Sequence, residues 1–327
     1  MNVYKSGLTA ALSILLISCG AGTAKEENHD VVAVEVNGQA LSTAATTDII
    51  GDILSNIAGG KADVRVIIPA GRSPHSYEPT PRDVAALDNA DIIFVNGLNL
   101  EESLLPILED LDEPVIVPVS AGIEVLFLGE DDDHTDDDEH DHSAGDPHFW
   151  FSPLNAIVWS RNISRTLQTA DPANAEFYAA RTDEYTSQLE GLDVEIRDMV
   201  NRIPQENRKL LMDHAALSYF ARDYGFEILG HIVESVSDQA EPSARQVADL
   251  TELMTHEGVD AVFVGESAGR GISRLAESVA AESGRDVRVV RLLTGSLAAE
   301  GERGSTYIDY IRLNTERIAE ALGGSRQ

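Results

Sequence analysis

Val64-Arg-Val-Ile-Ile68 is a five-residue run, apolar but for Arg65, that stops abruptly at Pro69-Ala-Gly71. A run this short, bounded by proline and glycine, predicts a strand rather than a helix. The same signature recurs at Asp91-Ile-Ile-Phe-Val95, which ends in Asn96-Gly97, and at Val115-Ile-Val-Pro-Val119. Ahead of them, Ala40-Leu-Ser-Thr-Ala-Ala-Thr46 reads as a strand feeding a helix. Thr47 or Asp48 supplies the cap of that helix, and Ile49, Ile50, Ile53, Leu54 and Ile57 supply its apolar face. Helical spacing also predicts helices over 82–90 and 100–108. Apolar strands alternating with helices give a parallel sheet covered on both faces.

The alternation returns after Pro204, with strands over 209–213, 226–229, 260–264 and 287–293. Helices over 215–224, 243–257, 272–282 and 307–322 separate and close them. Between the two halves, a helix over 153–167 is followed by Asp171-Pro172, a cap and first-turn proline that start another. Its apolar positions, from Phe177 through Tyr185, Leu189, Leu192, Ile196 and Met199 to Ile203, persist long enough to predict a strut of roughly 45–50 Å. The fold class expected is therefore α/β, with two lobes, each a mostly parallel sheet covered by helices. The lobes span 31–170 and 204–327, a long rigid helix over 171–203 joins them, and a cleft lies between.

At 327 residues the chain is long enough for two such lobes, and 43% hydrophobic content suffices for packed cores. Charge is the outlier: 56 acidic against 24 basic residues give a formal −32. Such a surface disfavours nucleic acid and anionic headgroups, favours cations, and suits a medium rich in salt or divalent ions. The only cysteine is Cys19, so an intramolecular disulfide and a thiolate zinc site are both excluded. No G-x-G-x-x-G opens a helix after a strand and no Walker A sequence occurs, so no nucleotide is indicated.

Residues 1–18 have the form of a secretory signal: Lys5, then an apolar segment from Gly7 to Ser18 that would rise only about 18 Å as a helix, too short to cross a bilayer. Leu16-Ile-Ser-Cys19 resembles a bacterial lipobox, which implies lipidation of Cys19 and a polar tether over 19–30. The mature chain is thus expected to be extracytoplasmic, periplasmic or at the cell surface, and lipid-anchored.

Three histidines stand out. His75 lies in the loop after the strand 64–68, and His214 directly follows the strand 209–213. His148 sits in Asp146-Pro-His-Phe-Trp150. Loops at the carboxyl ends of strands are where α/β sheets place their sites. Three neutral imidazoles suit zinc better than manganese, which leans toward carboxylate and water. Just before His148, residues 131–142 hold eight carboxylates and three histidines, His134, His140 and His142. Such a loop collects divalent cations weakly, as auxiliary ligands beside a tighter site. A three-histidine site with an open position also suits a zinc hydrolase, for which Asp213 and Glu266 are nominal bases. No H-E-x-x-H and no G-x-S-x-G supports that alternative, so no catalytic residue is assigned.

These residues resemble the zinc/manganese solute-binding proteins of bacterial metal ABC transporters, the cluster with a rigid linking helix. The resemblance rests on Pro74-His75-Ser-Tyr-Glu-Pro-Thr-Pro-Arg-Asp83, Asn96-Gly-Leu98 with Glu101, and Asp146-Pro-His-Phe-Trp150. It continues through His214-Ala-Ala-Leu-Ser-Tyr-Phe-Ala-Arg-Asp-Tyr-Gly225 and Val262-Phe-Val-Gly-Glu266, then Tyr307 and Asn314. It implies His75, His148 and His214 as metal ligands, with histidine at the third place pointing to the zinc-specific members. It also implies capture of Zn²⁺ and its delivery by a monomer to a membrane permease driven by a separate ATPase. Alternatives are a manganese-binding transport protein, or a surface adhesin or metal-buffering lipoprotein. One departure stands out: the family's fourth, carboxylate ligand falls in Leu293-Thr-Gly-Ser-Leu297, where this chain has Gly295.

Overall fold

The computed structural model describes residues 40–111, 114–127, 145–232, 244–266, 276–278, 280–281 and 287–323. Residues 1–18 and 19–30 with Cys19, the loop 130–142 with His134, His140 and His142, and most of the helix expected over 272–282 lie outside the described residues.

The first lobe begins with β1 (Leu41–Thr47), which runs without a break into α1 (Asp48–Ala58). Thr47 caps the helix by accepting from the Ile50 N–H at 3.3 Å, and Gly59 ends it in the left-handed region at φ 52°. Then come β2 (Ala62–Ile68), α2 (Pro81–Asp88), β3 (Ile92–Val95), α3 (Leu105–Glu109) and β4 (Val115–Pro118). The strands are all parallel, in the order β2-β1-β3-β4. The helix expected over 100–108 is instead a 3-10 turn at Glu102–Leu104 followed by the short α3. Leu98 and Asn99 ahead of it adopt positive φ, 51° and 54°, which no right-handed helix can include. Their turn wraps the buried Glu101, whose carboxylate accepts the Asn96 N–H at 2.7 Å.

Two helices join the lobes. α4 (Pro153–Ala170) starts on a Ser152 cap, and α5 (Ala175–Val200) follows a 3-10 turn at Pro172–Asn174. The strut is therefore shorter than the 171–203 read from the sequence: 26 residues, roughly 39 Å. Asp171 ends α4 rather than capping the strut, and its carboxylate accepts from Asn174 Nδ2 and the Tyr178 hydroxyl. α5 still spans the molecule, packing on α1 and α4 at one side and on the last helix, α8 (Tyr307–Gly323), at the other. Glu195 of α5 holds Arg312 of α8 through two bonds of 2.8 and 2.9 Å.

The second lobe repeats the first. β5 (Lys209–Met212), α6 (Ser218–Tyr224), β6 (Glu227–His231), α7 (Ala244–Glu257), β7 (Ala261–Gly265) and β8 (Arg288–Leu292) form a parallel sheet in the order β6-β5-β7-β8. α6 begins three residues later than expected, because 213–217 turn away from the strand before the helix starts. One buried cluster runs through both lobes, from Ile53 and Phe94 through Trp150, Trp159 and Leu189 to Phe263 and Tyr310. Strand order reverses beside the first strand of each sheet, and crevices in such sheets open beyond the carboxyl ends at that reversal. Among the described residues no helix is long and apolar enough to cross a membrane.

Candidate metal centre

The loop after β2 is shaped by its own side chains. Thr80 and Asp83 form a reciprocal capping box at the start of α2, with Pro81 in the first turn. The Tyr77 hydroxyl donates to Asp83 at 2.8 Å, folding 69–80 back and turning His75 inward. His148 follows β4 at the start of a 3-10 turn, Phe149–Phe151. His214 lies two residues beyond the end of β5.

These three imidazoles converge. Their ligand nitrogens all lie within 4.8 Å of one another, and among the described residues no other such group of metal-ligating side chains occurs. Nε2 of His75 is 3.1 Å from Nε2 of His148. A tetrahedral zinc with nitrogens at about 2.0–2.1 Å would hold them about 3.3 Å apart. The expected convergence of His75, His148 and His214 is thus present in the geometry.

Each lobe sets its histidine with the same device. Asp146 Oδ1 accepts both the His148 backbone N–H at 2.9 Å and the ring Nδ1–H at 2.7 Å. Asp213 Oδ1 accepts the His214 N–H at 2.9 Å and its Nδ1–H at 2.8 Å, while Oδ2 accepts the Gly265 N–H at 2.8 Å. A carboxylate only accepts, so Nδ1 carries the proton and Nε2 keeps a lone pair for a metal. Burial pushes both carboxyls up. The adjoining histidines and the N–H donors outweigh it, holding both below the usual carboxylate range. His75, the one member of the three not fully buried, is driven down to about 2, first by burial and then by His148 and His214. A neutral, desolvated imidazole trio is a cation trap.

Sequence reasoning missed the role of the two carboxylates as partners of the rings, although the signal was present: an aspartate stands one or two residues before each of two candidate ligands. Asp213, nominated there as a general base, has both oxygens committed inside the protein and no exposure. Glu266, the other nominee, is an exposed partner of Arg317 at 2.6 Å. Neither is placed to activate a water at the imidazoles. His231 is set aside in the sequence as lacking a setting comparable to the three candidates. It ends β6 opposite Met212, and its ring is pushed down to about 4 by burial and then by His214.

Replacing Asp213 with asparagine keeps the size of the side chain but removes the acceptor charge that fixes the His214 tautomer. Metal affinity is expected to fall about 10- to 100-fold, measured by chelator competition. A loss under threefold would deny Asp213 that role.

The carboxylate place left open by Gly295 is visible too. A Cβ added at Gly295 would come 2.9 Å from Pro74 Cδ, so the β8–α8 loop packs against the residue before His75 with no room for a side chain.

Residues 44–321 match the family model of ZnuA, described as zinc-uptake complex component A, periplasmic. The manganese ABC transporter substrate-binding lipoprotein PsaA of Streptococcus mitis is 31% identical over 316 residues, covering 94% of this chain and 95% of PsaA. The manganese-binding lipoprotein MntA of Halalkalibacterium halodurans is 31% identical over 309 residues, covering 94% of this chain and 95% of MntA. Among solved structures, the periplasmic zinc binding protein TroA of Treponema pallidum superposes with a TM-score of 0.78 at 28% identity, over 88% of this chain and all of TroA. The Mn-bound periplasmic metal binding protein of Candidatus Liberibacter asiaticus gives 0.74 at 27% identity, over 86% of this chain and 99% of that one. With its two parallel-sheet lobes, its imidazole trio and these relatives, the chain belongs to the ZnuA family of solute-binding proteins of metal ABC transporters, a family of transport proteins and not of enzymes.

Proposed function

We propose that this protein captures Zn²⁺ outside the cytoplasm and hands it to a membrane permease driven by a separate ATPase. His75, His148 and His214 hold the ion. The observation that carries the reading is the donor set: three imidazole nitrogens within 4.8 Å, joined by no carboxylate among the described residues. Nitrogen-only sets favour zinc over manganese, and the family resemblance implies histidine at the place of His214 in zinc-specific members.

On this reading residues 1–18 direct export, Cys19 carries the lipid, and 19–30 tether to the membrane the two lobes that the strut joins. The protein works as a monomer. His134, His140 and His142 collect cations for the tight site.

A second reading, manganese transport, is favoured by the names of PsaA and MntA, both manganese proteins. Competition between the two ions, after elemental analysis of protein purified without added metal, separates the readings. Zinc is expected to bind at least about 1,000-fold more tightly than manganese, about 4 kcal/mol. Manganese affinity within tenfold of that for zinc would sink the zinc assignment and leave metal transport standing.

A further inference from the structure

Asp48 and the β8–α8 loop are 248 residues apart, on opposite lobes, yet they share hydrogen bonds. Asp48 Oδ2 accepts the Ser296 hydroxyl at 2.8 Å and the Leu297 N–H at 2.9 Å. The Ser296 oxygen in turn accepts the Gly71 N–H at 2.6 Å, four residues before His75. Asp48 and Ser296 are both buried. Asp48 is the first residue of α1, where backbone N–H groups favour a carboxylate, while burial pushes its carboxyl up to about 6. On the other flank, the Thr294 carbonyl accepts from Trp150 Nε1–H at 3.0 Å and from the Tyr310 hydroxyl at 2.8 Å. Between these fastened flanks lies Gly295, pressed on Pro74.

We propose that Asp48 and Ser296 are positioning residues of the metal centre: a clasp made by the protein itself holds the 294–297 loop on the first lobe and sets the His75 loop. The clasp does the work that a carboxylate ligand at position 295 would do through the ion, and it leaves the fourth coordination place to water or another small ligand. A ligand from this loop would tie the lobes only through the ion. Here the tie is made of protein groups alone, so part of the ordering cost of binding is met in advance. The inference rests on the three-histidine reading of the site. It differs in predicting order in the metal-free protein.

Two measurements on the full chain test it: hydrogen exchange at the Leu297 amide without metal, and Zn²⁺ affinity by chelator competition. Asp48→Ala is expected to speed Leu297 exchange at least tenfold and to weaken zinc binding about tenfold, equivalent to about 1.4 kcal/mol. Asp48→Asn keeps an oxygen that can accept the Leu297 N–H, and it is expected to restore most of both. Unchanged Leu297 exchange in Asp48→Ala overturns the clasp. Faster exchange with zinc affinity within twofold of wild type overturns its positioning role. Should Asp48→Ala fail to fold, Asp48→Asn and Ser296→Ala carry the test, Ser296→Ala being expected to weaken zinc binding about threefold. No effect of Ser296→Ala on either measurement overturns the proposal. A wild-type protein that binds no zinc would refute the reading of the site, while the exchange result would still stand for or against the clasp.

Discussion

Replacing His214 with alanine is expected to weaken zinc binding about 1,000-fold, about 4 kcal/mol, and to leave the fold intact. The imidazole is 2% exposed and lies at the carboxyl end of β5, outside the strand's hydrogen-bond ladder. Its loss removes one of three nitrogens and strips Asp213 Oδ1 of its bond to the ring, leaving only the backbone N–H of residue 214 on that oxygen. With two imidazoles left, the ion must complete its shell from water in a pocket built for nitrogen. Isothermal titration with a competing chelator reads the loss. A variant that still takes up one equivalent as tightly as wild type would show that His214 is not a ligand.

Trp150→Ala is expected to have the largest effect on stability, about 3–5 kcal/mol. The indole is 1% exposed and belongs to the cluster shared by both lobes. Its Nε1–H donates to the Thr294 carbonyl and the Tyr310 hydroxyl, each at 3.0 Å, and its ring stands 5.1 Å from that of His148. Truncation opens a cavity where the lobes meet and leaves buried acceptors with fewer donors. Urea unfolding of the metal-free protein measures it. A loss below about 1 kcal/mol would place the interlobe core elsewhere.

Much of this was legible in the chain. Short apolar runs ended by proline or glycine located the strands within a residue or two, because buried parallel strands have little freedom of composition. Ligand candidates were legible for a related reason: a loop at a strand's carboxyl end has few other uses for histidine. Local pattern failed where a distant group decides the backbone. The 3-10 turn at Glu102–Leu104 exists because Glu101 is buried and the chain before it turns left-handed around that carboxylate. α6 starts at Ser218, not 215, because 213–217 serve the site first. Nothing in the spacing of Asp48 and Ser296 announces their contact. Long-range hydrogen bonds leave no periodic trace.

The three imidazoles are unequally buried, which bears on how the proposed cargo would be approached. His148 and His214 are sealed and steered by carboxylates, whereas His75 alone keeps an edge toward solvent. If the three imidazoles hold the cargo as proposed, His75 is the one that solvent, and so an arriving ion or a competing ligand, can reach most readily.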